Sequence, residues 1–192
     1  ILKCCIIRDI CKKTPGAPVF KEAYLEFKKD HPDFSVKVIY TIAKRKHKYS
    51  ERILRAYHEM LEIKKQTADD SDPENPVDFI VGFDLAGNED NSLSLTKFVP
   101  DFEVLYNQGH LRDLYLHAGE SRLPLSSNIV DAYLLKSRRV GHGLNLYRYP
   151  QLTDKFAEEK IPLEIAPISN QMLGFVRDFR RTPLLNTCVA VS

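Results

Sequence analysis

Paired cysteines, long apolar runs and an excess of one charge are all missing from this 192-residue chain. Its four cysteines, Cys4, Cys5, Cys11 and Cys188, make no C-x-x-C pair and keep no regular spacing, which excludes a cysteine zinc knuckle or a disulfide framework as the organising device. They leave the redox compartment undecided. No stretch approaches the roughly 18 apolar residues needed to span a bilayer, and the opening "ILKCCIIRDICKK" is too short in apolar residues for a signal peptide. The first residue is Ile1 rather than Met, so the sequence is expected to be a processed chain or a fragment. With 28 Lys and Arg against 26 Asp and Glu, nothing selects for nucleic acid or for an acidic surface, and the expected partner is a small molecule. Internal repeats and low-complexity segments are also lacking.

Hydrophobic content, at 43%, is enough to bury a substantial core. Short runs rich in Val, Ile, Leu and Tyr fit buried strands: "VKVIYTIA" (36–43), "DFIVGFDLA" (78–86), "LYLHAG" (114–119), "RRVGHG" (138–143) and "PLEIAPIS" (162–169). Between them lie amphipathic helical patterns. "SERILRAYHEMLEIKKQ" has Ser50 as an N-cap and puts Ile53, Leu54, Tyr57 and Leu61 on one face. "SSNIVDAYLLKS" does the same with Ile129, Ala132 and Tyr133. "KKTPGAP" (12–18) and "TADDSDPENP" (67–76) read as linkers. Strand and helix in alternation predict an α/β fold with a parallel sheet, doubly wound or closed into a (β/α)8 barrel.

Against that register the polar residues cluster at strand ends. Asp84 ends the second run, His117 and Glu120 follow the third, His142 ends the fourth, and Ser169 with Asn170 end the fifth. In parallel α/β folds the loops at the C-terminal strand ends converge on one crevice or barrel mouth, where the chemistry sits. One polar strand end is unremarkable on its own. Gly82, Gly87, Gly141 and Gly143 are equally at home as turn glycines, and His31, His47, His58 and His110 read as surface or helix residues.

"GFDLAGNE" (82–89), "HAGE" (117–120), "VGHG" (140–143) and "PISNQML" (167–173), in this order, resemble the adenosine deaminase superfamily over roughly residues 36–175. "PISNQ" resembles its growth-factor-related, usually secreted branch. The resemblance implies a partial (β/α)8 TIM-type barrel with parallel strands and outer helices, carrying about five of eight βα units in one incomplete domain spanning 1–192. It implies hydrolysis of adenosine or 2'-deoxyadenosine to inosine and ammonia on one zinc per complete site. Metal-bound water, with a pKa near 7, supplies the nucleophile that neutral water cannot. Carried over residue by residue, His117 would be a zinc ligand and Glu120 the acid that protonates the purine ring nitrogen. His142 would polarise or deprotonate the water, a task suited to a side chain that titrates near neutral pH. Gly87 would let the backbone approach the purine, and Asp84, Ser169 and Asn170 would orient the groups in direct contact with metal or substrate.

Two family motifs are absent: no H-x-H occurs, and no motif similar to S-D-D-P follows. The zinc site is therefore expected to be incomplete in this chain, and the 192 residues alone are expected to be inactive. The alternative is a truncated, non-catalytic product that binds a nucleoside or a protein. A cytidine-type deaminase is disfavoured, since its H-x-E and P-C-x-x-C pattern does not occur. Branch resemblance implies an extracellular setting, although this chain carries no signal peptide, and a homodimer in the full-length protein. "AKRKHK" (43–48) reads as a solvated basic loop or as a weak glycosaminoglycan site. Neither a membrane nor a nucleic acid is expected as a partner.

Overall fold

The computed structural model describes residues 5–8, 16–34, 36–44, 50–67, 80–109, 113–178 and 180. Of the linker expected over 67–76, Thr67 is the last residue of a helix; residues 68–76, most of the basic loop with its glycosaminoglycan reading, His47, His110, Cys4, Cys11 and Cys188 lie outside the described residues. No helix among the described residues is long and apolar enough to cross a membrane.

Strand and helix alternate throughout: β1 (Cys5–Arg8), α1 (Gly16–Asp30), β2 (Val38–Ala43), α2 (Ser50–Thr67), β3 (Ile80–Ala86), α3 (Val99–Asn107), β4 (His117–Ala118), α4 (Asn128–Leu134), β5 (Val140–His142), α5 (Pro150–Glu158), β6 (Leu163–Glu164) and α6 (Pro167–Met172). The chain divides into two compact units, one comprising 1–42 with 51–84 and the other 43–50 with 85–192.

In the first unit β1 pairs parallel with β2, Cys5 opposite Val38 and Arg8 opposite Thr41. Helix α2 packs through Ile53, Ala56, Tyr57 and Met60, so its buried stripe runs through Ala56 and Met60, while Leu54 and Leu61, expected on that face, are only half-buried. Fully buried Phe83 of β3 lies edge-on to the Tyr57 ring at 5.2 Å and stacks with Tyr40 at 6.1 Å.

In the second unit β4, β5 and β6 run parallel in that order. The ladder between the β4 and β5 segments extends past the short strands themselves. Arg138 N–H donates to Leu114 O (2.8 Å), Gly141 to Leu116 (2.8 Å), Gly143 to Ala118 (3.0 Å) and Asn145 to Gly119 (2.9 Å). Leu95, Phe98, Phe102, Leu105, Leu116, Ile129, Ala132 and Val140 form the apolar body beneath it.

Three expectations need correction. A strand at Cys5–Arg8 raises the number among the described residues from five to six; its "CIIR" is too short for any periodic signal to build. The linker expected at 12–18 gives way at Gly16 to α1, with Pro18 in the first turn, where a missing N–H costs nothing. The run expected as a strand over 162–169 stops at Glu164, because Pro167 opens α6 in the same manner; Ser169 and Asn170 are helical residues rather than a strand end.

Core position decides mutational cost. Phe83→Ala is expected to destabilise by about 3–5 kcal/mol in chemical denaturation, whereas Leu125→Ala, at a position 92% exposed, should stay within about 0.5 kcal/mol.

Candidate active site

Parallel pairing of β4 with β5 sets His117 beside Gly141 and Ala118 beside His142. The His117 imidazole lies over Gly141: a Cβ there would come within 2.8 Å of His117 Cδ2, 2.9 Å of Cγ and 3.0 Å of Arg139 Nη1. Glycine at 141 is thus the condition for the ring's position. The His117 and His142 ring centroids are 5.6 Å apart, inclined at 56°.

His142 occupies a left-handed backbone conformation, φ +64°, with Gly143 N–H closing onto Gly141 O at 2.9 Å. This is the strained form of the γ-turn, rare for a residue with a side chain. Its ring is held from both sides. Nδ1 meets Asn170 Oδ1 at 2.7 Å, and Nε2 faces Glu120 Oε2 at 3.2 Å. Because an amide oxygen only accepts, Nδ1 donates to Asn170, and Nε2 is the ring nitrogen turned toward Glu120.

Glu120 is 4% exposed. Burial raises its pKa above the ordinary carboxylate range; His142, Lys44 and His117 oppose that rise and Glu89 adds to it. Its carboxyl therefore retains a proton further toward neutral pH. The other oxygen, Oε1, is buried with no hydrogen-bond partner among the described residues. Such an oxygen is costly to bury unless something binds to it.

The structure thus brings together His117, Glu120, His142 and Asn170. Ser169 is exposed on α6 one residue away from buried Asn170. Asp84 is fully buried in β3 of the first unit, its Oδ2 accepting the Thr41 hydroxyl at 3.2 Å. Gly87 follows β3 directly, at the start of the loop carrying Asn88, Glu89 and Asp90.

Two contributors escaped the sequence reading. Buried Lys44 donates from Nζ to the His117 carbonyl at 3.1 Å and from its own N–H to Ala86 O at 2.7 Å, joining three segments of the second unit. A lysine at the head of a basic run looks solvated from sequence alone. Glu89 is buried and accepts backbone N–H groups of Gly119 at 2.9 Å and Glu120 at 3.3 Å. The available signal was an acidic pair, Glu89 and Asp90, separated by Asn88 from the glycine that follows β3.

Among the described residues no group of three or more His, Cys, Asp or Glu side chains is placed to hold a metal ion. These residues alone do not fit a zinc centre, which requires about three protein ligands.

Gly141→Ala should expose the coupling to His117. The substitution is expected to destabilise by roughly 1–3 kcal/mol through overpacking, and by much less in a His117→Ala background, where the opposing ring is gone. Denaturation of the two single variants and the double variant measures this interaction.

Residues 33–190 match the family model described as adenosine deaminase. Adenosine deaminase 2 of Dictyostelium discoideum is 41% identical over 110 residues, covering 55% of this chain and 20% of that protein. The human adenosine deaminase 2 is 32% identical over 171 residues, covering 86% of this chain and 31% of that protein. The chain thus spans about a fifth to a third of the length of these curated relatives. Among solved structures, an adenine deaminase from Arthrobacter aurescens superposes with a TM-score of 0.66 at 20% identity, over 88% of this chain and 46% of that one. An amidohydrolase from Burkhoderia ambifaria with bound Zn gives 0.66 at 17% identity, over 98% and 50%. At such identities the likeness shows the fold, a partial (β/α)8 barrel with parallel strands. With the family model matching well over half of its length, the chain belongs to the adenosine deaminase family.

Proposed function

We propose that this chain is part of an adenosine deaminase, hydrolysing adenosine or 2'-deoxyadenosine to inosine and ammonia, and that it belongs to a single barrel domain. One observation carries the reading. Glu120 is a buried carboxyl with its pKa raised by burial, one oxygen on His142 Nε2 and the other, Oε1, without a hydrogen-bond partner among the described residues. A carboxylic acid in that state can protonate a purine ring nitrogen through Oε1, withdrawing electrons from the carbon under attack.

His142 Nε2 accepts the proton of the attacking water as Glu120 gives up its own. The two events leave an imidazolium beside a carboxylate 3.2 Å away, with Lys44 adding positive charge at Glu120, so charge developing on both groups is compensated inside the site. Asn170 keeps the proton on Nδ1 and so keeps Nε2 available. Zinc, where bound, would supply an acidified water. His117 would contribute one ligand to a centre that the described residues do not complete. Gly87 would face the purine, and Asp84 and Ser169 would orient neighbouring groups. The resemblance of "PISNQ" to the growth-factor-related branch supports a secreted setting and a dimeric full-length protein.

A second reading, a non-catalytic nucleoside- or protein-binding product, is favoured by one observation: too few potential metal donors gather among the described residues. Bound-metal analysis and inosine formation by the full-length protein separate the two readings, since the 192-residue chain alone is expected to be inactive under both. Turnover supports the enzyme; nucleoside binding without metal or turnover supports the alternative.

In the full-length protein, Glu120→Gln is expected to lower kcat about 10²–10⁴-fold while leaving bound zinc in place. His117→Ala should lose metal and activity together. Metal analysis beside an ultraviolet adenosine-to-inosine assay distinguishes these outcomes, and a fully active Glu120→Gln protein removes Glu120 from the mechanism.

Stability should move the opposite way. A carboxyl with a raised folded-state pKa binds more protons folded than unfolded, so its stabilising contribution is present at acidic pH and lost as pH rises through that pKa. Glu120→Gln is therefore expected to raise Tm at pH 7–8, with the gain shrinking toward pH 4, as read by calorimetry across pH.

A further inference from the structure

Loop 119–122, which carries Glu120 out of β4, is gripped by two adjacent acids from a different strand end. Glu89 and Asp90 open the 3-10 turn Glu89–Asn91 after β3. Glu89 Oε2 accepts the N–H groups of Gly119 (2.9 Å) and Glu120 (3.3 Å), while Oε1 accepts the Ser126 hydroxyl. Asp90 accepts the Ser121 hydroxyl on Oδ1 and the Arg122 N–H on Oδ2 at 3.2 Å. On the other side of the loop, Asn145 N–H donates to Gly119 O and Asn145 Nδ2 to Ser121 O, both at 2.9 Å.

The pairing has a backbone cause. Gly119 has φ +77°, and its N–H and that of Glu120 converge on one point, the kind of two-amide concavity that binds an anion. Here the anion is supplied from within the chain. Glu89 is itself anchored, because Asn88 Oδ1 accepts Asn91 N–H at 3.2 Å and Ser92 Oγ donates to Asn88 O at 2.6 Å and to Lys44 O at 2.9 Å. A glycine in this conformation beside another glycine loop, with Gly143 Cα only 3.3 Å from where a Cβ would stand, has no side chain of its own to fix the turn. The carboxylate of Glu89 does so.

We propose that Glu89 is a positioning residue for Glu120: by holding two successive backbone N–H groups it sets the turn that aims the Glu120 carboxyl at His142. The proposal rests on the role given to Glu120 above. It requires an acceptor oxygen at this point rather than a negative charge, so glutamine, whose amide oxygen can take both N–H groups while its NH2 donates to the Ser126 hydroxyl, should substitute. Aspartate keeps the charge but withdraws the oxygens by one methylene and should not.

The test uses the full-length protein with Glu89→Gln, Glu89→Asp and Glu89→Ala, reading amide hydrogen exchange at residues 119 and 120 beside kcat and KM for adenosine. The Ala and Asp variants are expected to exchange at both amides about tenfold faster or more. Their kcat should fall by about tenfold or more with KM within about threefold, while the amides of β5 are unchanged. Glu89→Gln should remain near wild type on both readouts. Should Glu89→Ala not fold, Glu89→Asp carries the comparison. Wild-type exchange and kcat in a folded Asp or Ala variant would overturn the proposal, as would a Gln variant as impaired as Ala. If Glu120→Gln proves fully active while Glu89→Ala still speeds exchange, the catalytic reading of Glu120 falls and the grip on the loop stands. Unchanged exchange with an inactive Glu120→Gln protein gives the reverse.

Discussion

The parallel ladder between the β4 and β5 segments is the constraint on which the site depends. Four backbone hydrogen bonds, from Arg138 onto Leu114 at one end to Asn145 onto Gly119 at the other, fix the two segments in one register. In a strand a slip of one residue turns every side chain to the opposite face. Such a slip would take His117 off Gly141 and carry His142 away from Glu120. Leu114, Leu116 and Ala118, all buried, alternate along the β4 segment and make that slip costly, so the apolar body of the second unit secures the placement of its polar residues. The strands themselves are very short, and most of the ladder lies in what looks like loop.

Upon this frame the site balances opposed electrostatic demands. Burial pushes Glu120 toward its neutral form, and three nearby basic side chains pull it back toward the carboxylate. A group that must release and recover a proton benefits from both influences, since neither form is then too stable to leave. Lys44 combines two of these tasks. Its ammonium adds positive charge near Glu120, and its hydrogen bond to the His117 carbonyl ties that charge to the strand that presents the site. A solvated lysine would do neither, because water would screen it.

Legibility in the sequence followed the physics of each element. Strands that supply an apolar run and helices with a clear stripe were readable, because burial on one or two faces leaves a periodic trace; β3, almost wholly buried, is the clearest case. "CIIR" left too short a trace, and Pro167 was absorbed into a strand although a proline there more naturally opens a helix. His117, Glu120 and His142 were readable as chemistry at strand ends. That Asn170 would meet His142 could be read only loosely, since it depends on α6 turning back over β5. Glu89 lay in a recognised motif with no role attached. A carboxylate that binds backbone amides leaves no mark on its partners, because every residue but proline has an N–H. Long-range contacts of side chain to backbone are the part of a site least visible in one sequence.

The strain at His142 links these layers. A residue with a side chain held at positive φ costs about 1–3 kcal/mol and persists only where its surroundings over-determine it. Here the surroundings are identifiable. Gly143 N–H is shared between Gly141 O and Ala118 O, so the turn is closed by its own segment and pinned to the neighbouring strand at once. Asn170 and Glu120 then take the two ring nitrogens. An extended backbone at 142 would continue the strand and relieve the strain, but it would reorient the imidazole that now meets both partners. Local stability is given up at the one residue whose ring must meet both an amide oxygen and an acid, and the ladder on either side supplies the rigidity that keeps it there.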